Sequence, residues 1–185
     1  MTGRPRNPAA DEAIIRSTLT LAEQLGYRGV SIEAIAAHSG VAKQTIYRRY
    51  PSLGEVMLAA LASFADQHLP HPDTGSLRDD LYQLLSATFA AQQQVSGELN
   101  RGLAAAAIQD ATFATRLWER LIESRREVVR TMIGRARERG EVTHPDDDFL
   151  VDLVFGPMWY RLLFGREALD DGYARRLAEA VVAAA

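Results

Sequence analysis

One short stretch near the amino terminus constrains the fold more than any other feature. Residues 32–50 read IEAIAAHSGVAKQTIYRRY. Their apolar spacing predicts a helix over residues 32–38, a tight turn at 39–41 and a second helix over 42–50. Gly40 stands in the middle of the turn, where a positive φ is required. Two helices joined by so short a turn form a helix-turn-helix.

The two predicted helices divide into an inner and an outer face. Ile35, Val41 and Ile46 supply a shared apolar core, and Ala42 and Tyr50 are spaced to face inward with Ile46. The outer face of the second helix then carries polar side chains, as does a helix that enters the major groove of DNA. The candidate DNA contacts within this helix are Lys43, Gln44, Thr45, Tyr47, Arg48 and Arg49.

These side chains are chemically suited to DNA. Arginine can bind guanine and glutamine can bind adenine through paired hydrogen bonds, and a threonine methyl group can contact thymine. Lys43, Tyr47 and Arg49 are expected to bind phosphates instead. The bland alternative is a hairpin of two helices with a solvated polar face inside an interaction domain.

Charge is distributed unevenly along the chain. The net charge is −3, yet residues 1–50 hold seven basic and four acidic side chains. A basic head on an acidic body indicates that only the head meets a polyanion. Arg4 and Arg6 in the terminal arm either lie in a minor groove or form a disordered tail that adds non-specific attraction.

The rest of the chain has the apolar period of helices and shows no alternation typical of strands. We predict an all-α fold of about nine helices, with a helix-turn-helix domain at 1–51 and a larger helical body at 52–185. The helix over 52–68 links the two, and a proline-rich linker follows at 70–75. The other predicted helices span residues 8–25, 76–95, 99–109, 112–139, 146–164 and 171–185.

The helix over 146–164 is apolar nearly all round, so both of its sides must be covered. We therefore expect it to form a dimer interface with the last helix, and we expect Pro157 to kink it. The candidate interface residues are Met158, Leu162, Tyr173, Leu177 and Val181. Five aromatic residues could line an apolar pocket: Phe89, Phe113, Trp118, Phe155 and Trp159. A stripe of aromatic side chains is, however, usually part of the hydrophobic core.

Other chemistries are not expected. The chain has no cysteine, so disulfides and thiolate sites are excluded. His68 and His71 are read as a solvated pair, and the acidic run at 146–148 as the first turn of a helix. We expect no catalytic residues, no metal ion and no cofactor. With no signal peptide or membrane span in sight, we expect a cytoplasmic protein.

Residues 8–62 resemble the amino-terminal domain of the tetracycline-repressor (TetR) family of bacterial transcriptional regulators. The matching segments are AEQLGY, SIEAIA and SGVAKQTIYRRYPS. The resemblance implies a homodimer with its recognition helix at 42–50, and a body that binds a small molecule and controls the spacing of the two heads. It also implies that Tyr47 touches phosphate and that Tyr50 locks the core of the head.

Two positions depart from the family pattern. Leu53 stands where the family commonly has a lysine that reaches a phosphate, and Ala42 stands where many members have a capping serine. Farther along, the segment GPMWYRLL resembles the carboxy-terminal domain of one TetR subgroup.

We predict a DNA-binding regulator, most simply a repressor of its own or neighbouring genes. A largely apolar effector would release it from a palindromic operator. The alternative is a helical dimer that senses a small molecule and acts through a protein partner.

Overall fold

The computed structural model describes residues 8–165 and 167–185. Over those residues it contains nine helices and no strand, which confirms the all-α prediction. No described helix is both long and apolar enough to cross a bilayer. The helices are α1 (Pro8–Gly29), α2 (Ile32–Ser39), α3 (Lys43–Arg49), α4 (Leu53–His68), α5 (Leu77–Gln92), α6 (Val95–Gln109), α7 (Ala111–Leu117, Trp118–Ile122 and Glu123–Glu138), α8 (Asp147–Phe164) and α9 (Asp171–Ala184).

The helix-turn-helix forms as its local sequence predicts. The Ser31 hydroxyl accepts a hydrogen bond from the Ala34 N–H and so begins α2. Gly40 ends α2 at φ 69°, and its N–H donates to the Ala36 carbonyl. Helix α3 begins after Ala42 without a side-chain cap. Ala42 is exposed, so its predicted inward position was wrong, because it precedes the first helical turn.

Helix α1 is interrupted where the sequence predicted its end. Gly26 leaves the helical region at φ 69° and ψ 173°, and a further helical turn then runs to Gly29. The break directs Tyr27 towards α6. Leu25, just before the break, is exposed.

Two apolar cores organise the molecule. The first contains residues of the four helices α1, α2, α3 and α4. Residues from α6 and the start of α7 complete it, among them Leu99, Leu103 and Leu117. The second joins α5, the later part of α7, α8 and α9. The head therefore shares its core with two helices of the body. The apolar core is therefore continuous across residue 52. The division of the chain into two domains at that residue remains a prediction.

The junction between head and body also contains a buried ion pair. Glu55 lies in the first turn of α4 and is only 4% exposed. Its carboxylate binds the Nε of Arg116, and its second oxygen lies 3.5 Å from Nη1 of Arg120. Both arginines belong to α7, so this carboxylate ties the helix that follows the head to the body.

A close helix contact at the same junction predicts one effect on stability. Gly102 in α6 packs on the Tyr27 ring, with which an added Cβ would collide. We expect Gly102→Ala to lower the free energy of unfolding by about 1–3 kcal/mol, as overpacking does. Urea unfolding of the two proteins measures this difference.

Gly134 provides the matched control, because an added Cβ there meets nothing within 4 Å. Gly134→Ala in α7 should leave stability unchanged or raise it by up to about 1 kcal/mol. Equal effects of the two substitutions would contradict the close contact between α1 and α6.

The buried carboxylate predicts a second effect. Glu55→Gln removes the charge that binds Arg116 and Arg120, and we expect it to cost about 1–3 kcal/mol in the free energy of unfolding. Glu98→Gln removes an exposed partner of Arg101 and should cost less than about 1 kcal/mol. Chemical denaturation of both variants tests the difference, and a loss as small for Glu55→Gln as for Glu98→Gln would refute it.

Candidate DNA-binding face and effector cavity

The outer face of α3 presents the side chains that the sequence selected. Lys43, Gln44, Tyr47 and Arg48 are exposed, and the Tyr47 ring is half accessible. Over the described part of the chain, no hydrogen bond or ion pair holds the Gln44 amide or the Arg48 guanidinium. Both groups can therefore bind an external partner without first breaking an internal contact. Thr45 is partly buried beside them.

Lys43 is held at the edge of this face by α2. Its Nζ lies 2.7 Å from Oε1 of Glu33, and both side chains are exposed. The hydrogen bond from Lys43 lowers the pKa of the Glu33 carboxyl from its ordinary value. Exposed ion pairs of this kind are weak, so Lys43 can exchange Glu33 for a phosphate at little cost.

Arg49 does not lie where a phosphate contact needs it. Its side chain is 8% exposed, and its Nη1 lies 2.5 Å from Oδ2 of Asp11 in α1. The Tyr50 hydroxyl donates to the other Asp11 oxygen at 3.3 Å. The last turn of α3 leans against α1, so Arg49 fixes the recognition helix to the head. Arg4 and Arg6 lie outside the described residues.

The body encloses a cavity of about 600 Å³ between α4, α5, α6, α7 and α8. Of the five aromatic candidates, three line this cavity: Trp118, Phe155 and Trp159. Phe89 does not, because it is buried in the core of the body and stacks on Tyr173. Phe113 is also absent from the lining, because it belongs to the core of the head and lies against Gly54.

The π-helical turn in α7 forms part of the cavity wall. Its residues Trp118, Leu121 and Ile122 all line the cavity. A π turn inserts an extra residue into a helix and so changes the direction of the side chains that follow. Arg126, one turn later, lies 5.4 Å from the centre of the Trp118 ring.

Three charged lining residues, Arg125, Arg126 and Asp152, were missed by the sequence analysis. A signal was present in the apolar stripe of α7. That stripe advances by four residues at most steps but by seven between Leu121 and Val128. Arg125 occupies the skipped position, so an arginine stands where the helix pattern calls for an apolar side chain.

The predicted dimer residues were misassigned. Met158, Leu162, Leu177 and Val181 are buried in the core of their own chain. Tyr173 is partly buried beneath the Arg161 guanidinium, which lies 3.4 Å from its ring centre. Packing against α5 and α7 takes up this side of α8 and α9, so these residues do not face a partner.

The free apolar surface of α8 lies on its other side. Phe149, Tyr160 and Phe164 are 45%, 68% and 77% exposed, and Gly156 is exposed between them. These four positions follow one another at spacings of seven, four and four, which places them on a single stripe. The helix continues through Pro157, and the kink expected there remains a prediction.

The carboxylates at 146–148 have partners within the chain. Asp146 caps α8 by accepting the Phe149 N–H, and Asp147 pairs with Arg137. Arg130 and Arg126 lower the pKa of the Asp148 carboxyl. His68 stacks on Phe64 with ring centres 4.5 Å apart. These side chains therefore have partners within the chain.

Comparison with known proteins finds family models that match both the head and the body of the chain. Residues 14–63 match the model of the tetR family of bacterial regulatory proteins. Residues 71–181 match the model of the tetracyclin repressor-like C-terminal domain. The HTH-type transcriptional regulator YdeS of Bacillus subtilis (strain 168) is 30% identical over 178 residues, which is 95% of this chain and 89% of YdeS.

Two further similarities extend over the whole chain. The DNA-binding transcriptional repressor TetR of Mycobacteroides abscessus is 29% identical, with 96% of this chain and 94% of that protein aligned. The crystal structure of the TetR family transcription regulator SCO0332 superimposes with a TM-score of 0.82 at 28% identity, covering 95% of this chain and 98% of the other. These relatives are transcription regulators and not enzymes. With residues 14–63 and 71–181 matched by these two family models, this chain belongs to the TetR family of helix-turn-helix transcriptional regulators.

Proposed function

We propose that the protein is a ligand-responsive repressor that binds a palindromic operator as a homodimer. The observation that carries this proposal is the pair of uncommitted side chains on α3, Gln44 and Arg48, with Tyr47 and Lys43 beside them. A short helix of this composition can read base edges with the first two side chains and hold phosphates with the others. The operator would lie close to the coding region of the protein or of its neighbour.

The exposed stripe of α8 supports dimerisation. Three large aromatic side chains and an exposed glycine leave a surface that a solvent-facing helix rarely carries. Gly156 has nothing within 4 Å of an added Cβ, so a partner helix can approach closely there. A two-fold axis at this stripe would place the same surface of each chain against itself. The two recognition helices would then reach half-sites about one helical turn of DNA apart.

The position of the cavity supports control by a ligand. Its wall includes the π-helical turn Trp118–Ile122, which is flanked by Arg116 and contains Arg120. Both arginines hold Glu55 in the first turn of α4. A ligand that packs on Trp118 would act on the helix that carries the head through these two ion pairs. It would alter operator affinity only as far as it binds the two head spacings unequally.

Substitutions on α3 test the reading face. We expect Arg48→Ala to lose about 1–3 kcal/mol of discrimination at one base position, because a paired contact to guanine disappears. Tyr47→Phe should weaken binding to all sequences alike, because it removes a phosphate contact. The measurement is a mobility shift across a salt series, using the DNA immediately upstream of the coding region and single-base variants of it.

Arg78→Ala is the control for Arg48→Ala, because Arg78 is exposed on α5, away from the head. It should bind like the unsubstituted protein. If Arg48→Ala and Gln44→Ala both leave base preference unchanged, α3 does not read the operator in the proposed way.

Substitution on the α8 stripe tests dimerisation. Tyr160→Asp places a charge in the centre of the proposed interface, and we expect it to convert the dimer into monomers. Leu25→Asp introduces the same charge at an exposed apolar position of α1 and should leave the dimer intact. Sedimentation equilibrium measures both, and a Tyr160→Asp variant that remains fully dimeric would place the interface elsewhere.

A further inference from the structure

Among the described residues, one charged side chain of the cavity wall has no ion-pair partner. Its charged lining residues are Arg125, Arg126 and Asp152. Arg126 is bound by Asp152 and, at 3.2 Å, by Asp148. No carboxylate of the described residues forms an ion pair with Arg125. Its Nη2 is fully buried and makes no hydrogen bond with any described residue.

A guanidinium in this position is costly without a partner. Buried polar nitrogens almost always have one, and a buried charge even more so. Burial lowers the pKa of the Arg125 side chain, and the charge of Asp66 opposes that shift, although no ion pair joins these two side chains in the described part of the chain. The side chain stays protonated at neutral pH, so an anion at this point would be stabilised.

Three other polar side chains of the lining are engaged within the chain. The Thr88 hydroxyl donates to the Leu84 carbonyl, and the Ser96 hydroxyl donates to the Ala91 carbonyl. The Asn100 amide donates to the Gln92 side chain. Away from Arg125, the wall is dominated by apolar side chains that would receive an apolar body: Leu61, Phe64, Trp118, Phe155, Trp159 and Leu163.

We propose that the cavity binds an amphipathic acid, with an apolar body against the aromatic wall and a carboxylate on Arg125. This inference rests on the proposed function, since it names the chemistry of the effector. A carboxylate carries the single negative charge that one uncompensated guanidinium matches, and it can accept two parallel hydrogen bonds from it. A phosphate would bring a second charge, and the other arginine of the wall, Arg126, is already bound by Asp152 and Asp148. The cavity volume is within the usual range for small-molecule sites.

The chain carries its own reporter for this binding. It has two tryptophans in total, and both of them, Trp118 and Trp159, line the cavity. The emission of the unsubstituted protein therefore responds to what enters. Decanoate, decanol and decylamine are suitable probes, since they share one apolar chain and differ in the charge of the head group.

The experiment is a fluorescence titration of the full-length protein with each probe, without DNA and below the concentration at which the probes aggregate. Decanoate should bind about tenfold or more tightly than decanol, and decylamine should bind most weakly. Arg125→Met should abolish the preference for decanoate while leaving decanol binding within about twofold, and Arg125→Lys should retain part of it. Arg78→Met, which removes an arginine far from the cavity, should change nothing.

The proposal is overturned if decanol binds as tightly as decanoate, if none of the probes changes the emission, or if Arg125→Met keeps the preference for the acid. Should Arg125→Met fail to fold, the ranking of the three probes on the unsubstituted protein and the Arg125→Lys result still decide. Operator binding is measured separately by mobility shift. Acid binding without operator binding would refute the proposed function alone, and operator binding without acid preference would refute this inference alone.

Discussion

The contact between Glu55 and two arginines of α7 is the interaction on which the rest of the arrangement depends. Glu55 begins the helix that follows the recognition head, and Arg116 and Arg120 come from the helix that walls the cavity. A buried carboxylate is costly to desolvate unless opposite charges and hydrogen bonds satisfy it. The two ion pairs therefore tie the start of α4 to the helix that lines the cavity, which is the link that the proposed control by a ligand would use.

Arginine has different roles at different depths in this protein. On the exposed face of α3, Arg48 is uncommitted and can meet DNA. One residue later, Arg49 is tied to Asp11 and holds the recognition helix against α1. In the body, Arg126 is bound by two carboxylates, whereas no described carboxylate forms an ion pair with Arg125. The same guanidinium group is thus a proposed DNA contact at Arg48, a link between two helices at Arg49 and a proposed ligand contact at Arg125. Which of these it is depends on the acidic side chains that the fold brings near it.

Much of the candidate DNA-binding face could be predicted from the sequence, because it is local. Caps, a turn glycine and apolar spacing determine where α2 and α3 begin and end, and so which side of α3 faces outward. The cavity could not be predicted in the same way. Phe89 and Phe113 are aromatic, as pocket residues often are, yet each is buried in an apolar core. Whether an aromatic side chain lines a cavity or fills a core depends on how helices that are distant in sequence pack around it.

By itself the sequence determined the helices, the helix-turn-helix and the exposure of Gln44, Tyr47 and Arg48, since each follows from interactions within a few residues. Only the tertiary structure decided that α6 and the start of α7 share the core of the head and that Arg49 turns inward. It also decided that the free apolar face of α8 runs through Tyr160 and Phe164, and not through Met158 and Leu162. Those outcomes depend on which apolar surface another helix covers first, and helical periodicity cannot supply that information.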